Sequence, residues 1–120
     1  MTDESRSFEE ISAIFNDRVL KSSSRLLILI CLSMNKKLGF TDLSRLTGLS
    51  KGSLGNHLLK LSASGYITMT EHSFFSSKRV NVRITPKGND TVQRYVMAIG
   101  KLKLAERNDS TMNNASDLQD

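Results

Sequence analysis

Asn56 and Lys60 stand four residues apart in the segment from Ser50 to Ser64, and both carry groups suited to reading polar edges and anions. A carboxamide donates and accepts, so it can pair bidentately with an adenine edge, while an ammonium reaches guanine or phosphate. Ser50, Lys51, Gly52 and Ser53 crowd the start of the same segment, where unpaired N–H groups and the dipole of a helix favour a phosphate. Lys78, Arg79 and Arg83 form a second basic group further along. Two readings of these side chains stand together: a surface that grips a polyanion, or polar groups that solvate a helix face and guard an edge hairpin against pairing.

Catalysis has no comparable candidates. The chain shows no Gly-rich phosphate loop, no paired carboxylates and no nucleophile–base set, so neither an enzyme nor a cofactor is expected. One cysteine and two distant histidines make no metal set. Cys31 lies in an apolar run and reads as an inert core thiol rather than a redox sensor. His57 falls toward the buried boundary of its helix and reads as structural, and His72 is isolated.

The elements that must position these residues belong to a chain of 120 residues with 38% apolar and 24% charged side chains, enough for one small core. A single cysteine and the lack of a leader-like start point to the cytoplasm. The longest apolar run, Leu26 to Leu32, is far shorter than the roughly 20 residues of a membrane span, so no membrane is expected. Net charge is +5, but Lys36 to Arg94 holds ten basic and three acidic residues, net +7, which leaves the two ends at −2 together. Clustered positive charge suits phosphate or another polyanion.

Residues 1–7 lack periodicity and read as a flexible end. Phe8, Ile11, Ile14, Phe15 and Val19 recur at helical spacing and predict a helix over 8–20. Ser22 to Ser24 offer caps for a helix from Arg25 to Met34 that is apolar all round and therefore central. Asn35-Lys36-Lys37 ends it, and Leu38-Gly39-Phe40 forms a short extended link. Thr41 is expected to cap a short helix over 42–47, stopped by Gly48 in the left-handed conformation. Ser50 caps the next, 51–64, with Leu54, Leu58 and Leu61 as its buried stripe. Two helices joined by so short a Gly-containing turn make a helix-turn-helix.

After Gly65 the period becomes 2: Ile67 and Met69, then Val80, Val82 and Ile84, predict a two-stranded β-hairpin whose connection, 72–78, projects as a loop. Phe74 and Phe75 within it either insert at a groove or fold back. Thr85-Pro86 starts a long helix through Val92, Tyr95, Val96, Ile99 and Leu102 to about Glu106. Residues 107–120 hold little to bury and are expected to be disordered. The fold class is α+β, mainly α, with one domain over 8–106.

From about Asn16 to Val96 the chain resembles the winged helix-turn-helix regulators of the MarR type, small single-domain members above all. The resemblance is carried by Phe40-Thr41-Asp42-Leu43, by the run from Leu49 to Leu61, by Ala63-Ser64-Gly65-Tyr66-Ile67 and by Ile84-Thr85-Pro86-Lys87-Gly88, in that order. It implies a homodimeric transcription regulator with recognition helix 51–64 in the major groove of double-stranded DNA and wing 72–79 on the backbone or minor groove. The DNA contacts expected are Thr41, Ser50, Lys51, Gly52, Ser53, Asn56, Lys60, Lys78, Arg79 and Arg83, with Lys36 and Lys37 as further backbone candidates. Useful affinity from so small a reader needs two half-sites, hence two copies. Helices 8–20 and 86–106 are expected to join them through Ile11, Ile14, Phe15, Val92, Tyr95, Val96, Ile99 and Leu102, unless both pack within their own subunit. A protein-interaction module of the same fold, or a chromatin-type protein indifferent to DNA sequence, are the alternatives. The short ends leave no effector pocket to name.

Overall fold

The computed structural model describes residues 2–74 and 77–117, with side chains over 2–73 and 77–102. Five helices and three strands follow in the order α1 (Asp3–Asn16), α2 (Ser23–Asn35), β1 (Lys37–Gly39), α3 (Phe40–Thr47), α4 (Lys51–Ala63), β2 (Ile67–Phe74), β3 (Ser77–Ile84) and α5 (Pro86–Asp117).

The N-terminus departs from expectation. Residues 3–7 are helical rather than flexible because Thr2 caps α1, its hydroxyl accepting from the Ser5 N–H at 3.1 Å, and Asp3 and Glu4 complement the positive end of the dipole. Ser7 is buried, so this turn is part of the packed body. The helix also stops earlier than position 20. Asp17 Oδ1 accepts from the N–H groups of Val19 and Leu20, at 2.8 and 3.2 Å, and the chain turns there to seat Leu20 in the core.

Helix α2 is central, as its apolar run predicts, with Ile28, Leu29 and Leu32 fully enclosed. It is not covered on every side, since Leu27 and Met34 are exposed. Lys36 ends it at φ +64°, in the left-handed region where a side chain is uncommon. The link that follows is a true strand. β1 pairs with β3, Leu38 opposite Val82, so the sheet has three antiparallel strands in the order β1-β3-β2 where a two-stranded hairpin was expected.

Strands β2 and β3 extend through most of the expected loop: His72 pairs with Arg79 and Ser73 with Lys78. Residues 72–74 and 77–79 are therefore ladder rather than the projecting loop expected over 72–78. Phe75 and the side chain of Phe74 lie outside the described residues. Helix α3 begins at Phe40 with Gly39 as its cap, so Thr41 sits inside the first turn and is not the capping residue. Thr85 does cap α5, its hydroxyl accepting from the Gly88 N–H at 3.1 Å. The α5 helix continues past Glu106 to Asp117, into residues expected to lack order.

The core gathers Leu20, Ile28, Leu29, Leu32 and Leu43 with the Leu54/Leu58/Leu61 stripe, Tyr66, Ile67, Val82 and Val92. Each enclosed leucine contributes roughly 1.5–3 kcal/mol relative to exposure. The stripe on α4 thereby fixes which way that helix presents its other face.

Candidate nucleic-acid interface

The orientation of α4 is set by its turn. Gly48 takes φ +74° and its N–H donates to Ser44 O at 2.9 Å, while the Ser44 hydroxyl donates to Leu49 O at 2.7 Å and the Thr47 hydroxyl to Leu43 O at 2.6 Å. These three hydrogen bonds, all between Leu43 and Leu49, brace the turn that leads from α3 into α4. Ser50 then caps α4, its Oγ accepting from the Ser53 N–H at 3.2 Å. Ser50 is thus a cap first; Lys51 and Gly52 are the exposed members of that first turn, and Ser53 is half-buried.

With Leu54, Leu58 and Leu61 inward, the outward arc of α4 carries Gly52, Asn56, Leu59, Lys60 and Ala63, all exposed. Beside its N-terminus lies a cleft of about 570 Å³ lined by Gly39, Phe40, Thr41, Asp42, Lys51, Lys78, Arg79, Val80 and Asn81. The structure therefore brings Thr41, Lys51, Lys78 and Arg79 together around one concavity. Asn56 and Lys60 stand further along α4, and Arg83 further along β3, where its register partner on β1 is Lys37. Those two cations project from the same exposed face of the sheet. Lys78 faces Glu71 across the hairpin at 3.8 Å and Arg45 pairs with Asp42 at 3.1 Å. Both are exposed pairs that hold their cations only weakly.

Two polar connections behind α4 had no signal in residue spacing. Arg25 at the start of α2 donates from Nη1 to His57 Nδ1 at 3.2 Å, and its Nε donates to Val19 O. A guanidinium only donates, so Nδ1 accepts and the neutral imidazole carries its proton on Nε2. Burial, then the charges of Arg25 and Lys60, hold His57 below the ordinary histidine range. The second connection runs from the Tyr66 hydroxyl to Asp17 Oδ2 at 3.0 Å. Burial, the hydrogen bond to Asp17 and that carboxylate's charge push Tyr66 up to about 12. Burial alone would raise Asp17, but the Val19 N–H, the Tyr66 hydroxyl, the Leu20 N–H and the Lys87 charge outweigh it and hold the carboxyl low. Lys87 in turn lies 4.6 Å over the Tyr66 ring and donates to Ser64 O at 2.7 Å. Partners 32 and 49 residues apart in sequence, as these are, cannot be matched by local pattern. His57 is structural, as expected. Cys31 is half-buried rather than enclosed, and burial raises its thiol.

The residues expected at a subunit contact divide. Ile11 and Val92 are buried within their own chain, because α1 packs along α5, so neither belongs to an outer face. Phe15 meets Tyr95 edge-to-face, centroids 5.9 Å apart, yet remains partly exposed, as do Val96 and Ile99. Ile14, Tyr95 and Leu102 are half-buried. Phe8 and Met97, absent from the expected set, are among the most exposed large apolar residues.

A family model described as a winged helix DNA-binding domain matches residues 24–102, which takes in everything from α2 to the packed part of α5. The chain belongs to the winged helix DNA-binding domain family. No curated protein sequence matches it. Among solved structures, this winged-helix chain is similar to a transcriptional regulator homologue from Pyrococcus horikoshii OT3, with 24% identity and a TM-score of 0.69 over 81% of this chain and 96% of that one. It is similar also to MepR of S. aureus in a DNA complex, with 13% identity and a TM-score of 0.70 over 97% and 94% of the two chains. A third is a MarR mutant from E. coli complexed with operator DNA, with 14% identity and a TM-score of 0.59 over 81% and 71%. The MarR-type resemblance read from the sequence thus holds for the fold. No helix among the described residues is long and apolar enough to cross a membrane.

Proposed function

We propose that this winged-helix protein is a homodimeric transcription regulator that lays α4 in the major groove of double-stranded DNA and its β2–β3 wing on the adjoining backbone or minor groove. The observation that carries the reading is the outward arc of α4: Asn56 and Lys60 exposed on a helix whose opposite stripe is locked in the core, beside a cleft lined by Lys51, Lys78 and Arg79. A single helix fits a major groove about 12 Å wide, and its small residues Gly52 and Ala63 allow close approach. Asn56 reads a base edge, and Lys60 beside it reaches guanine and the adjoining phosphate. Lys51, Lys78, Arg79 and Thr41 hold phosphates, with Lys37 and Arg83 as a more distant pair.

The second subunit joins through the exposed apolar residues of α1 and α5, Phe15, Val96 and Ile99, extended by Phe8 and Met97. Two copies then present two α4 helices to half-sites about one helical turn apart. Selection of bound sites from random duplex DNA tests the reading. A two-fold symmetric enriched motif is expected; recovery of unselected sequence would replace it with sequence-indifferent binding, and no recovery would remove DNA as the partner.

A further inference from the structure

We infer that Leu59 reads the 5-methyl group of a thymine in the bound duplex, making it a specificity-determining residue of the recognition helix. The inference rests on the DNA-binding reading above and adds to it an apolar contact that charge and hydrogen-bonding capacity do not reveal. Leu59 is 63% exposed, whereas the other three leucines of α4 are at most 1% exposed. An isolated surface leucine is ordinary, so exposure alone decides nothing. Position decides it. At 100° per residue, Leu59 lies about 60° from Asn56 and about 40° from Ala63, in the arc directed away from the core. A side chain added at Gly55, one turn before Leu59, would meet nothing within 4 Å, so the flank of Leu59 is open to a ligand.

The floor of the major groove is polar except at one group, the thymine methyl, and an aliphatic side chain is its natural contact. A cytosine at the same place would present an amino donor to Leu59 and leave it unpaired, which costs free energy and so discriminates. Residues three apart on a helix are about 5–6 Å apart at Cβ, against about 3.4 Å between stacked bases along a strand. With Asn56 on an adenine, the thymine under Leu59 therefore falls within about two base pairs of it.

The test uses the full chain and a duplex carrying its selected site. Each thymine is replaced in turn by deoxyuridine, which removes the methyl and nothing else, and affinity is read by fluorescence anisotropy at fixed salt. One replacement per half-site is expected to weaken the wild-type protein about fourfold, the worth of one buried methyl. That position should lie within two base pairs of the adenine whose preference Asn56→Ala relaxes. Leu59→Ala should be indifferent to the replacement while keeping the wild-type salt dependence. If sequence-selective binding persists but no replacement weakens it, or weakens Leu59→Ala equally, the assignment of Leu59 is overturned and its exposed side chain serves another partner. Loss of all DNA binding by the wild-type protein overturns the DNA reading and this inference with it.

Discussion

Individual side chains on this surface divide into those that position and those that discriminate, and the two respond differently to salt. Each cation on a phosphate releases counterions, so Arg79→Ala is expected to lower the slope of log K against log salt by about one and to weaken all sequences alike. Asn56→Ala should leave the slope unchanged and relax preference at one base pair. Titration over a salt series with a matched and a scrambled duplex separates the two. Behind α4, the Arg25–His57 bond gives a pH response of defined sign. The folded protein holds His57 below its unfolded value of about 6.5, so the unfolded chain binds the extra proton in that window. Stability from this site is complete above pH 6.5 and falls as pH drops below it. Melting temperature should decline as pH falls below about 6.5, and His57→Gln should flatten the decline. Asp17 acts in a lower window, its contribution lost only as pH falls through the carboxylate range.

At the scale of elements, backbone geometry separates glycines that build the fold from one kept for contact. A Cβ at Gly88 would collide with the Tyr66 carbonyl oxygen and lie 2.9 Å from Ile84 Cγ1, where the first turn of α5 meets Tyr66 and the end of β3. Gly88→Ala should therefore cost several kcal/mol, about the upper range of single substitutions, or abolish folding. Gly52 meets nothing within 4 Å. Gly52→Ala should raise stability by up to about 1 kcal/mol by helix propensity, yet weaken DNA binding by holding α4 off the groove floor. Thermal unfolding and duplex titration on the same sample check both halves. The helix-turn-helix was legible because its punctuation is local: Ser50, Gly48 and the leucine spacing each act within one or two turns. Strand β1 was not, since Leu38 becomes a strand only by meeting Val82, far along the chain. The start of α1 was missed because Thr2 caps a turn without large apolar residues, which periodicity does not register.

For the molecule as a whole, the cations of the cleft and the apolar residues proposed for the subunit contact lie on different elements. The cations that meet the cleft sit on α4 and β3, and the exposed Phe8, Phe15, Val96 and Met97 on α1 and α5. That separation suits a two-fold assembly in which α1 and α5 join the subunits and leave both α4 helices open. The pattern of which residues lie on the outer face was only half legible, because the packing of α1 on α5 of the same chain buries Ile11 and Val92. If the proposed two-fold assembly forms, the wild-type protein should sediment as a dimer and Val96→Glu as a monomer that keeps its fold by circular dichroism and binds the selected duplex at least tenfold more weakly. The most direct test of the central claim is duplex affinity as a function of salt for the wild-type protein and Lys60→Ala. A steep linear fall of log K with log salt, reduced by about one in slope for the variant, is the predicted result. Salt-independent binding, or a variant indistinguishable from wild type, would contradict the placement of α4 against DNA.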